Sequence, residues 1–149
     1  MLKPSYELVV IGAGPAGLAA AAKAAELGVD TLLLDEQPSP GGQIYRAIAD
    51  TPVKDRRILG PDYWKGEGLL PALEKSGAAR IAGATVWCVS REREISVSIA
   101  GAAHLVTAER IILATGALER PMPIPGWTLP GVMTAGAAQI LLKSAGLTA

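Results

Sequence analysis

The sequence predicts an α/β fold: a parallel sheet, a helical layer and a small antiparallel excursion. Three observations predict it. Residues 6–35 alternate strand, glycine turn, helix and strand. Ile111-Ile112-Leu113 is a short uninterrupted apolar run of the kind that suits a parallel strand. Between them, 84–89 and 94–99 alternate in the period of antiparallel strands.

The first unit is the most specific. Leu8-Val9-Val10-Ile11 reads as a buried strand and runs straight into Gly12-Ala13-Gly14-Pro15-Ala16-Gly17. A long alanine-rich helical pattern follows, from about Gly14 to Leu27, with Lys23 and Glu26 on its outer side. Thr31 to Leu34 then forms a second strand closed by Asp35 and Glu36. This order is the dinucleotide-binding βαβ pattern of a Rossmann-like fold. Gly12 permits the tight turn, Gly14 lets the backbone approach a pyrophosphate, and Gly17 lets the helix pack closely on the sheet. Pro15 suits an early helical position, and Ala16 is small. The unpaired amides of the first helical turn then face the phosphates. A glycine turn in some other βαβ fold is the plainer alternative. An acid at the end of the second strand accepts hydrogen bonds from a ribose. Asp35 is the favoured candidate and Glu36 the alternative; a carboxylate there opposes a 2′-phosphate, which points to FAD or NAD rather than NADP.

Further along, Gln37 to Gly42 is a loop rich in proline and glycine. Residues 43–64 lack clean periodicity and read as loop with short helical pieces. Gly68 to Ala79 reads as a helix with Leu69, Leu70 and Leu73 on one face. After Ala84–Val89 and Glu94–Ile99, His104 to Thr107 reads as a third short strand, separate from Ile111–Leu113. The last pattern is a helix from Ala137 to Ser144. Cys88 falls in an alternating strand beside Trp87 and reads as a core cysteine.

Composition excludes several functions. Across 149 residues, 14 basic and 14 acidic side chains cancel, so there is no electrostatic footprint for nucleic acid. No apolar stretch is long enough for a membrane span. The single cysteine excludes an intrachain disulfide and fits a reducing, cytoplasmic setting. One cysteine and one histidine do not assemble a metal centre. Neither suggests a catalytic group, and His104 reads as solvated or structural.

The order of motifs resembles the two-dinucleotide-binding-domain flavoproteins of the glutathione-reductase type. Gly12 to Gly17 matches their FAD pyrophosphate loop, Asp35-Glu36 their ribose acid, and Ile111 to Gly116 their second signature. More narrowly, Asp35-Glu36-Gln37-Pro38, Gly41-Gly42-Gln43-Ile44-Tyr45-Arg46 and Pro125 to Val132 resemble one subgroup. It comprises the A-type subunits of opine oxidase and D-hydroxyproline dehydrogenase, one subunit of hydrogen cyanide synthase, and the related part of heterotetrameric sarcosine oxidase. The resemblance implies a Rossmann-like, FAD-binding three-layer domain. It implies that Gly12, Gly14, Pro15, Ala16 and Gly17 cradle the pyrophosphate, and that Gly41, Gly42 and Gln43 run beside the ribityl and flavin. Val86 would meet the adenine through its main chain, and Ala114, Thr115 and Gly116 would lie near the adenosine and pyrophosphate. Arg46, just after the glycine step, is a candidate to hold a carboxylate or phosphate, with a structural ion pair as the equal alternative.

The activity so implied is oxidation of an amine, imino acid or opine-type small molecule, by hydride transfer to flavin, within a heteromeric enzyme. The alternatives are an NAD(P)H-dependent flavin reductase and a non-catalytic structural or electron-transfer subunit. Two departures qualify the match. No cysteine pair follows Gly41-Gly42, which excludes dithiol exchange for this segment. The chain is also short for the architecture, so residues 1–149 are expected to be the amino-terminal part of an FAD/NAD(P)-binding domain. The second nucleotide-binding domain and the carboxyl-terminal return segment are then absent, and the cofactor site is incomplete at that end.

Overall fold

A computed structural model describes residues 2–148. The chain begins with strand β1 (Ser5–Ile11), helix α1 (Pro15–Glu26) and strand β2 (Thr31–Asp35). The glycine turn lies between β1 and α1, where Gly14 is the extended N-cap and Pro15 the first helical residue. After an irregular segment come α2 (Arg56–Trp64), a 3₁₀ turn over Lys65–Gly68 and α3 (Leu69–Ser76). Asp55 caps α2 by accepting from the Arg57 amide, and the helix kinks at Gly60, just before Pro61. Strands β3 (Ala79–Ala82), β4 (Ala84–Val89), β5 (Glu94–Ile99) and β6 (Ala102–Leu113) follow, and helix α4 (Ala135–Ala145) comes last.

The sheet has the order β3-β2-β1-β6-β5-β4. Its first four strands are parallel, while β5 pairs antiparallel with both β6 and β4. Alternation along the strands supplies two cores. Val9, Ile11, Leu32 and Leu34 pack with Ala84, Ile95, Val97 and Val106 of the antiparallel meander. Leu8, Val10 and Leu33 pack on the other side with Leu18, Ala21 and Ala22 of α1 and Leu73 of α3. The sheet therefore bends at β6, which brings β4 back over β2. Helices, parallel sheet and meander are the three layers expected from the sequence. No described helix is long and apolar enough to cross a membrane.

Four details differ from the sequence reading. His104–Thr107 and Ile111–Leu113 belong to one twelve-residue strand, β6. Its first half pairs with β5 and its second half with β1, so Thr107 is bonded on both sides. The second half is not buried: Ile112 is 40% and Leu113 67% exposed, because β5 ends before reaching them. Strand β3 has no counterpart in the sequence pattern; helix α3 stops at Ser76, with Gly77 as a left-handed cap. Cys88 is exposed rather than core. The ladder between β4 and β5 shifts register between Val86 and Cys88, which breaks the alternation and leaves Trp87 and Val89 exposed as well.

Candidate functional site

The carboxyl ends of β1, β2 and β6 meet along one edge, where the chain leaves each strand through small residues. Three backbone ties and one carboxylate bind these exits together. The Gly12 amide donates to the Leu34 carbonyl at 2.7 Å, and the Ala114 amide to the Ile11 carbonyl at 2.8 Å. The Gly41 amide donates to the Ala13 carbonyl at 2.8 Å. The Ala13 amide donates to Asp35 Oδ2 at 2.6 Å, and Asp35 Oδ1 accepts from the Gln37 amide at 2.8 Å.

Steric demands explain the glycines. Gly12 has φ +106°, and a Cβ there would run into the Ala114 carbonyl oxygen. A Cβ on Gly17 would run into the Gly12 carbonyl oxygen, so the α1 start presses directly on the turn. Gly42 has φ +60°, and its Cβ would stand 2.9 Å from Gly14 Cα. Gly14 differs: a Cβ there would lie 4.0 Å from Gly42 Cα, with no closer neighbour. Gly12, Gly17 and Gly42 thus serve the protein's own packing. Gly14 faces open space.

That space is a cleft of about 600 Å³, within the ordinary range for a small-molecule or cofactor site. Gly12, Gly14, Pro15 and Ala16 line one part of it, and Asp35, Glu36 and Gln37 another. Gly42, Gln43, Ile44 and Arg46 form a wall, with Val86 and the segment Ala114, Thr115 and Gly116 across from them. Gly17 and Gly41 support this surface without lining it. The lining also includes Ile11, Ala13, Leu34, Gln37, Ile44, Ala84, Ala117 and Leu118, which sequence reasoning does not single out as site residues although Gln37 and Ile44 stand inside the subgroup motifs. Tyr45 and His104 are not among the lining residues; His104 is exposed on β6.

The electrostatics favour an anion. Among the described residues the amides of Gly14, Ala16 and Gly17 have no acceptor, and they open a helix whose dipole is positive at this end. The two candidate acids have different surroundings. Asp35 is 8% exposed and both of its oxygens are occupied by main-chain amides. Glu36 is exposed on the cleft, its carboxylate held only by Gln37 Nε2 at 3.3 Å. A dinucleotide fits this arrangement: free amides for a diphosphate, a carboxylate for a ribose, and a gap over Gly14 that a side chain would fill.

Comparison with known proteins agrees with the geometry. Residues 6–145 match the family model described as pyridine nucleotide-disulphide oxidoreductase. The A-type subunit of opine oxidase from Agrobacterium tumefaciens (strain Ach5) is 52% identical over 97% of this chain and 30% of its own length. The alpha subunit of sarcosine oxidase from Rhizobium meliloti (strain 1021) is 33% identical over 95% of this chain and 15% of its own. The crystal structure of L-proline dehydrogenase from P. horikoshii superposes with a TM-score of 0.76 at 20% identity, covering 97% of this chain and 29% of that one; this likeness shows the shared fold. The chain thus spans under a third of the length of these proteins. Its βαβ unit, its three-layer fold and the match over nearly all its length place it in the pyridine nucleotide-disulphide oxidoreductase family, whose FAD-dependent oxidoreductases share its cofactor, FAD.

Proposed function

We propose that this chain supplies the FAD-holding half-site of an oxidoreductase subunit that oxidises an amine, imino acid or opine-type substrate. The observation that carries this reading is the cleft over Gly14, with unpaired amides on one side and a ribose-ready carboxylate on the other. Gly14 and Ala16 offer their amides to the diphosphate, while Gly17 seats the start of α1 against the turn. Glu36, rather than Asp35, accepts from the adenosine ribose, because Glu36 is exposed on the cleft whereas Asp35 is buried and already engaged by the Ala13 and Gln37 amides. Gly42 and Gln43 border the ribityl side, and Val86, Ala114, Thr115 and Gly116 border the adenosine side. Arg46 adds a cation to the same wall.

Flavin, when bound, accepts a hydride from the carbon beside a substrate nitrogen. This chain's own residues bind and orient that group and exclude water from its diphosphate. The two oxidases named above are matched through one subunit each, and their names specify an opine and sarcosine. Both compounds carry a C–H bond adjacent to nitrogen, which supports an amine as substrate and other subunits as partners. On this reading residues 1–149 form the first part of an FAD/NAD(P)-binding domain, and the enzyme is cytoplasmic, in keeping with the single cysteine of this chain.

Titrating FAD into the purified chain tests the reading, with flavin fluorescence quenching as the signal. Wild type is expected to bind. Gly14→Val should lose binding while far-UV circular dichroism stays unchanged, because the new side chain occupies the cleft rather than the core. Equal binding by the variant would sink the assignment of the glycine turn.

A further inference from the structure

Helix α4 buries no residue fully. Among the described residues, Lys143 supplies the side-chain hydrogen bonds that leave α4 for the rest of the chain. Lys143 Nζ donates to the Ile44 carbonyl at 2.8 Å, the Gln43 carbonyl at 3.2 Å and Gln139 Oε1 at 2.6 Å. The ammonium has three protons, and all three are used. It also stands 5.5 Å from the centre of the Tyr63 ring, and the Lys143 carbonyl accepts from Thr51 Oγ1 at 2.7 Å. The last turn of α4 is therefore fastened to residues 43–51.

Gln43 and Ile44 are wall residues of the cleft. In a trans peptide the carbonyl and the following amide point in opposite directions. Drawing the Gln43 carbonyl toward α4 therefore turns the Ile44 amide away from it. Among the described residues the amides of Gly42, Gln43 and Ile44 have no acceptor, while the Tyr45 amide closes the turn onto the Gly41 carbonyl at 3.0 Å. Successive free amides at such a turn form a concavity suited to an anion. Among the described residues no carboxylate pairs with Lys143 or with Arg46, and the buried Arg46 Nε has no partner. Burial, and then the nearby Arg46 guanidinium, press the Lys143 ammonium below the ordinary lysine value. Two cations without a counter-ion beside three free amides are costly for the protein alone and favourable once an anionic group is near.

We propose that Lys143 is a positioning residue for the dinucleotide: it holds the Gly42–Ile44 turn with its amides toward the cleft and so couples the docking of α4 to cofactor binding. This rests on the FAD reading above. Coupling of this kind is reciprocal, so FAD must tighten α4 by the factor with which docked α4 tightens FAD.

The test compares wild type with Lys143→Met, which keeps the stem and removes the donors, and Lys143→Arg, which keeps two or more donors. FAD affinity is measured by titration, and amide hydrogen exchange in α4 is followed with and without FAD. Lys143→Met is expected to bind FAD about tenfold more weakly, and Lys143→Arg to recover most of that loss. FAD should slow α4 exchange in wild type and leave it unchanged in Lys143→Met, an effect that a purely structural lysine does not produce. Wild-type affinity in Lys143→Met, with α4 still protected by FAD, overturns the proposal and leaves the FAD reading intact. Absence of FAD binding by wild type removes both. Should Lys143→Met not fold, wild-type exchange decides: α4 amides indifferent to FAD overturn the coupling.

Discussion

At the scale of single residues, adjacent acids divide two tasks. Asp35 joins the glycine turn to the end of β2 by accepting from the Ala13 and Gln37 amides, and its burial makes those bonds structural. Replacing it with alanine orphans two main-chain donors. Asp35→Ala is expected to lower unfolding free energy by about 2 kcal/mol or more, measured by urea denaturation without FAD. Glu36→Ala should leave that free energy unchanged within about 0.5 kcal/mol and weaken FAD by about 1–3 kcal/mol, the range for a charge-assisted hydrogen bond. The opposite assignment of effects would return the ribose role to Asp35. The sequence shows both acids at the strand end but not which one the backbone has claimed, since that depends on where the Ala13 amide points.

Among the elements, those with strong local signals are legible. β1, α1 and β2 follow from apolar runs, alanine and glycine punctuation within thirty-odd residues, and the antiparallel pair 84–89 and 94–99 is readable to its bounds. Elements governed by distant partners are not. β6 looks like two strands because Ala108-Glu109-Arg110 interrupts the apolar pattern at the point where the strand passes from β5 to β1. β3 has only the short run Ala79-Arg80-Ile81-Ala82 and exists because β2 offers it a ladder. The bulge in β4 reverses the expected side of Cys88. The site divides likewise: the glycine turn and acids are readable, whereas the Lys143 tie crosses a sequence separation of 99 residues and leaves no local trace.

Helix α2 offers a test at this scale. The Tyr63 hydroxyl donates to the Arg46 carbonyl at 2.8 Å, and burial first of all raises its pKa above the ordinary 10.0. The folded chain then keeps this proton at pH values where the unfolded chain loses it. The stabilisation is complete below pH 10.0 and disappears as pH climbs through the raised value. Urea denaturation across this range should show wild type losing its advantage over Tyr63→Phe. A constant difference between the two would show that the hydroxyl is not so held.

On the scale of the whole molecule, a run of exposed apolar side chains lies beyond β6. Leu118 is 92%, Met122 76%, Ile124 60% and Leu129 60% exposed. The segment is closed at its base, where Glu119 Oε2 accepts from the Gly136 amide at 2.8 Å beside the Thr134 cap of α4. So many exposed large apolar side chains in one short segment are unusual for a surface facing only water. The isolated chain should therefore brighten an anilinonaphthalene sulfonate dye under native conditions, and Leu118→Ser with Met122→Ser should dim that signal. A dark wild-type sample would show that these side chains are covered in solution.

One strand, β6, belongs to both ladders of the sheet, and this has a mechanical corollary. Its first residues are clasped by β5 and its last by β1, after which the chain enters the cleft as Ala114, Thr115 and Gly116. A continuous strand transmits displacement along its axis with little loss. A one-residue slip of the hairpin partner would travel through Thr107 as through a pivot and dislodge the far rim. Fidelity of pairing in the outlying meander is thus a condition for the cradle's shape, although no meander side chain past Val86 touches it.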